Sequence, residues 1–190
     1  VLTPWRVVNM HMSDCLGGYC FYDETFTEEG KLDEPRFVDR GKVTADIFGK
    51  LDSQILEINS KTGLYPLYVT YSVYRRKLQE FVNEELTIKD KQDIWLQTVD
   101  ENIFVICKTP MAKAITRRTL TGYSGGKINA HYFDDLINTM SNKPQMFLDK
   151  VLRQNYWKKG NNVMKFDAIV GNPPYQILDG GGKGYSAKPV

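Results

Sequence analysis

Three short apolar runs constrain this chain more than any other feature. SQILEIN (53–59), NIFVICK (102–108) and FDAIVG (166–171) place apolar side chains on consecutive or near-consecutive positions, as a buried strand does. KINAHYF (127–133) is a weaker candidate for a further strand. Helical spacing fills much of the chain between them. LYVTYSVYRRKLQEFVNEEL (67–86) has apolar positions at Leu67, Val69, Val73, Leu78 and Phe81, and PMAKAITRRTL (110–120) opens on a proline. FDDLINTM (133–140) and PQMFLDKVLRQNYW (144–157) continue the series. Strands alternating with helices require crossovers between parallel neighbours, so the expected class is α/β, with helices on both faces of a parallel sheet.

Residues 1–50 read differently. TPWRVVNMHM (3–12) offers Thr3 as an N-cap and Pro4 as the first helical residue, with Val7, Val8 and Met12 as an apolar stripe and LGGY (16–19) as the stop. Residues 21–41 are acidic and punctuated by Gly30, Pro35 and Gly41, as an extension or hairpin would be. The expected division is therefore an N-terminal helix and extension over 1–50, and an α/β unit over 51–190.

At 190 residues and 42% hydrophobic, the chain suits one domain with a substantial core. No run reaches the roughly 18 apolar residues of a membrane span, so no membrane partner is expected. Three cysteines and two histidines lack metal-ligand spacing, so no metal site is expected and a reducing cytoplasm is the expected compartment. A net charge of +2 permits a nucleic-acid partner without arguing for one. Arg75–Lys77, Arg117–Arg118 and Lys158–Lys159 read as solvated helix surface in preference to phosphate contacts.

Chemistry is expected at the C-terminal strand ends, where open α/β sheets bind ligands. The first buried strand ends at Glu57 and turns through Asn59, Ser60, Lys61, Thr62 and Gly63 into a helix, a connection that suits an anionic or nucleotide ligand as well as close packing. The fourth strand runs into KFDAIVGNPPYQ (165–176). Asn-Pro is an ordinary turn signal, yet two consecutive prolines make this loop stiff, and a stiff loop carrying an amide and an aromatic suits a site.

These residues together resemble the S-adenosylmethionine-dependent DNA adenine-N6 methyltransferases. LEINSKTGLYPLY and FDAIVGNPPYQ in particular resemble the methylase portion of bacterial restriction-modification enzymes. The resemblance implies a Rossmann-like methyltransferase fold, truncated here after its fourth strand, in a bacterial cytoplasmic enzyme. It implies a catalytic set of Asn172, Pro173, Pro174 and Tyr175. It assigns S-adenosylmethionine to Thr3, Pro4, Glu57, Asn59, Ser60, Thr62 and Gly63, with Asp134 or Asp135 toward its adenine and Asp135 at the better spacing. Double-stranded DNA is the implied partner, with a nuclease or recognition domain of the same system. Two positions depart from the family pattern: Lys61 stands where a glycine is usual, and Cys107, Lys108 and Thr109 stand where the second strand usually ends in an acid. NPPY also serves glutamine-N5 methylation of proteins and guanine-N2 methylation of RNA, and cytosine-N4 transfer stays open. A degenerate, non-catalytic binding domain is the remaining alternative.

Overall fold

The structure, a computed structural model, describes residues 2–172 and the backbone of 176–178 and 187–189. Helix α1 (Trp5–Cys15) leads into a hairpin of β1 (Gly18–Tyr22) and β2 (Lys31–Val38), followed by the short α2 (Lys42–Phe48). Then come β3 (Ile55–Ser60), α3 (Leu64–Gln79), α4 (Ile88–Asn102), β4 (Ile103–Cys107) and α5 (Pro110–Thr121). The series continues with β5 (Asn129–Tyr132), α6 (Leu136–Asn142), α7 (Pro144–Val151) and β6 (Ala168–Gly171). Gln176–Leu178 and Ala187–Pro189 form a separate antiparallel pair.

Strands β3 to β6 form one parallel sheet in the order β5-β4-β3-β6. Consecutive strands step outward from β3 on one side, and the chain then crosses back to place β6 on the other. That reversal beside β3 is the topological switch point of a doubly wound sheet, and it creates a crevice at the strands' C-terminal ends. The fold is Rossmann-like α/β, as the alternation of apolar runs requires.

Side-chain alternation assigns the strands to two cores. Ile55, Ile103, Val105 and Cys107 join Val8, Phe48, Tyr68, Val69 and Leu120 on the face covered by α1, α3 and α5. Leu56, Phe104 and Ile106 join Phe133, Phe147, Val151 and Trp157 on the opposite face. Both faces of the central strands β3 and β4 are thus covered, which is why they read as continuous apolar runs. Met12, Ile47 and Phe48 of the first fifty residues pack into the first of these cores.

Several boundaries differ from the sequence reading. Pro4, with ψ 151°, is extended and precedes α1 instead of opening it, so Thr3 does not cap the helix. The acidic stretch is a hairpin, one of the two forms expected of it, but it starts earlier, with Gly18 paired to Val38 and Tyr22 to Lys31. The helix expected to run to residue 157 stops at Val151, and Gln154–Trp157 is a 3-10 turn whose Trp157 indole donates to Val151 O at 2.8 Å. Helices α2 and α4 were not anticipated. Among the described residues no helix is long and apolar enough to cross a membrane.

Candidate active site

The crevice beside β3 gathers residues from three distant parts of the chain. Thr3 ahead of α1, Glu57 and Asn59 in β3, Lys61 and Thr62 just after it, and Asn172 after β6 line one cavity of about 20 Å³. Its floor is set by local backbone chemistry. β3 pairs in register with β6 from Ile55–Ala168 to Ile58–Gly171, and its register with β4 shifts between Ile58 and Ser60. Asn59 sits at that shift with φ 70°, a left-handed conformation that asparagine tolerates better than most residues. The turn brings the Asn59 amide against β6, where its Nδ2 donates to Asn172 O at 3.0 Å.

Gly171 makes this approach possible. A Cβ there would lie 2.5 Å from Ile58 O, closer than real side chains come to backbone. Gly171→Ala is expected to force β6 away from β3 and cost about 1–3 kcal/mol, the usual scale of overpacking, measured by urea unfolding. Unchanged stability would show that β6 is free to shift. Gly63, with φ 77° at the start of α3, plays a related part: a Cβ there would lie only 3.0 Å from Thr116 Cα of α5.

Asn172 is held at two points. Its backbone carbonyl accepts from Asn59, and its side-chain Nδ2 donates to Thr3 Oγ1 at 2.6 Å. That leaves Oδ1 without a partner. Four buried side-chain polar atoms among the described residues lack one, and three of them line this cavity: Glu57 Oε2, Asn59 Oδ1 and Asn172 Oδ1. Each such acceptor costs about 1–3 kcal/mol. Three in one crevice mark a place prepared for hydrogen-bond donors.

Glu57 is only 3% exposed, and burial pushes its carboxyl up to about 8, with the Ser60 hydroxyl pulling the other way. The carboxyl is therefore mostly neutral at pH 7. Lys61, half-buried at the same cavity, has no carboxylate partner among the described residues. An acid ready to ionise and a cation without a counter-ion face one small space.

The remaining candidate residues have other surroundings. Ser60 is buried with its hydroxyl 3.1 Å from Thr116 Oγ1, and Thr62 O accepts from Thr119 Oγ1 at 2.7 Å, so the turn is tied to α5. Pro4 is exposed. Asp134 and Asp135 are exposed at the end of β5, two strands from β3, and neither lines the cavity. Cys107 is fully buried, its thiol pushed up to about 12 by burial, and Thr109 caps α5 by accepting from Ala112 N at 3.1 Å. Pro173, Pro174 and Tyr175 lie outside the described residues. The sequence reading placed Lys61 in this turn as a departure from the family pattern, and it missed the Thr3–Asn172 bond.

The fold and this crevice together describe a Rossmann-like domain with a candidate ligand site at its switch point. Comparison with known proteins adds a match over part of the chain. Residues 101–188 match the family model of the Eco57I restriction-modification methylase. The match runs from β4 through α5, β5, α6 and α7 to β6, so the resemblance read from the sequence is met over that stretch. It does not include Thr3 or Glu57–Gly63, the residues that the fold joins to Asn172. An uncharacterized adenine-specific methylase of Mycoplasma pneumoniae is 35% identical over 69 residues, which is 36% of this chain and 16% of that protein. The alignment thus spans a small part of the relative's length. No solved structure matches.

Proposed function

We propose that this chain forms part of an enzyme that transfers a methyl group from S-adenosylmethionine to the exocyclic N6 amine of a flipped adenine in DNA, within a restriction-modification system. The observation that carries the proposal is Asn172: a polar side chain tied by Thr3, with its carbonyl oxygen left unpartnered at the switch-point crevice.

An adenine amine is a poor nucleophile because its lone pair is delocalised into the ring. Acceptors on its two hydrogens draw the nitrogen toward tetrahedral geometry and free that pair. Asn172 Oδ1 is one acceptor. The second, on the resemblance, is the carbonyl of Pro173, with Tyr175 stacking on the extruded base at about 1–3 kcal/mol. Holding Asn172 at both ends fixes the acceptor before substrate arrives, which is how preorganised polar groups lower a barrier.

The donor set also fits the cofactor's amino-acid end. Glu57 and Asn59 offer orphan acceptors for an ammonium, and Lys61 offers a cation for a carboxylate. The cavity's size suits an ammonium-sized group. S-adenosylmethionine supplies an electrophilic sulfonium methyl when bound. The name of the Mycoplasma pneumoniae relative, an adenine-specific methylase, favours adenine over glutamine or guanine.

The test is to incubate protein carrying this sequence with methyl-labelled S-adenosylmethionine and mixed duplex DNA, then to identify the labelled nucleoside by mass spectrometry. N6-methyladenine is expected. Label in protein or RNA alone, or in no substrate, would overturn the reading.

A further inference from the structure

Residues 102–133 contain Lys108, Lys113, Arg117, Arg118 and Lys127 and no aspartate or glutamate, although the whole chain carries a net charge of only +2. The fold brings these cations together. The outer face of α5 and the loop after it border a groove of about 560 Å³, lined by Lys113, Arg117, Arg118 and Tyr123 among others and by no acid. Lys113 and Arg117, four residues apart, share one face of the helix.

The arginines are posed by neutral groups. Arg117 Nη2 donates to Gly125 O at 3.2 Å. The Arg118 guanidinium lies 3.8 Å from the centroid of the Tyr123 ring, which is 91% exposed. Gly122 and Gly125, with φ 56° and 75°, turn the loop so that its carbonyls face the arginines. All five ion pairs among the described residues involve cations elsewhere: Arg40, Lys50, Arg75, Lys77 and Lys159. An ordinary surface intersperses the two signs, whereas this one holds like charges side by side, with Arg117 and Arg118 exposed and Lys113 half-buried.

We propose that this groove binds the phosphate backbone of duplex DNA flanking the target adenine, as a second contact separate from the Asn172 crevice. The cations are strung along a twelve-residue helix, about 18 Å, and do not converge on a point, so their complement is an extended polyanion and not a single phosphate. Pro110, which lines the groove, opens α5 at the strands' C-terminal ends, where Asn172 also lies. The helix carries Arg117 and Arg118 back along the flank, so a duplex that follows α5 leads away from the crevice. The commitment to DNA rests on the function proposed above.

The experiment measures duplex DNA affinity against salt for the wild type and for the combined K113Q, R117Q and R118Q variant, with K89Q and K91Q on α4 as a control. Each lost phosphate contact lowers the slope of log affinity on log salt by about 0.9, so a decrease of about 2–3 is expected in the groove variant alone. N6-methyladenine formation at low salt is expected to persist in it. An unchanged slope, or an equal decrease in the control, overturns the groove while leaving the methyltransferase reading intact. No duplex binding by the wild type, or a slope change on RNA only, overturns the commitment to DNA. Product analysis of the wild type then shows separately whether the reading of the crevice also fails.

Discussion

Asn172→Ala is expected to lower the rate of methyl transfer by about 10²–10³-fold, the usual loss when one preorganised polar group at a reacting centre is removed. Stability should not fall with it. The alanine deletes the bond to Thr3, but it also deletes a buried acceptor that nothing satisfies, and these two effects on the fold oppose each other. Loss of activity with a preserved melting temperature is thus the signature of a group that acts on substrate. Asn172→Asp should retain about tenfold more activity than the alanine variant. A carboxylate keeps an acceptor at the same point, and the Thr3 hydroxyl can turn to donate to it. Thr3→Val should leave the acceptor in place but unsteadied, with a smaller loss in rate. Single-turnover transfer of labelled methyl measures all three. An Asn172→Ala protein within threefold of wild type would remove Asn172 from the chemistry.

What the sequence revealed depended on how far each signal reaches. β3 and β4 were legible because a strand covered on both faces must be apolar at consecutive positions, and Ile103 to Cys107 meets that requirement in full. β6 carries the same apolar run although Ile169 is exposed. α4 was not legible, because it fully buries only Thr98, Val99 and Asn102, with Trp95 partly buried beside them, and its first half is mostly charged. Its one local signal was the capping box of Thr87 and Asp90 at its start. The site divides in the same way. The stiffness of the NPPY loop is local and can be read from its residues. Thr3 looked like a helix cap, since both readings need a hydroxyl beside Pro4. Its hydrogen bond spans 169 positions, a distance no spacing rule covers. Burial of Glu57 is likewise a property of α1, α3 and the sheet combined, so its raised pKa could not be read from the LEIN segment.

Glu57→Gln is expected to stabilise the protein at alkaline pH and to impair it at neutral pH. The folded carboxyl titrates at about 8 against an ordinary value of 4.5. Between those values the folded state holds a proton that the unfolded chain has released. Stability therefore falls as pH rises through that window and levels off above the folded pKa. Glutamine stays neutral throughout, so at pH 9 the variant should exceed the wild type by about 3–5 kcal/mol, while at pH 4 the two should nearly coincide. Binding reverses the comparison. An ammonium or sulfonium beside Glu57 favours its ionised form, so adding S-adenosylmethionine near pH 7 should release a proton to the buffer. Calorimetry in two buffers of different ionisation enthalpy detects that proton. In the glutamine variant the release should vanish and affinity should drop by at least tenfold. A variant less stable than wild type at pH 9 would mean that Glu57 is ionised and satisfied in the fold. Proton release that survives the substitution would place the responding group elsewhere. Either result would dissociate the orphaned carboxyl from cofactor recognition, because a single group must both weaken the empty protein and answer the incoming cation.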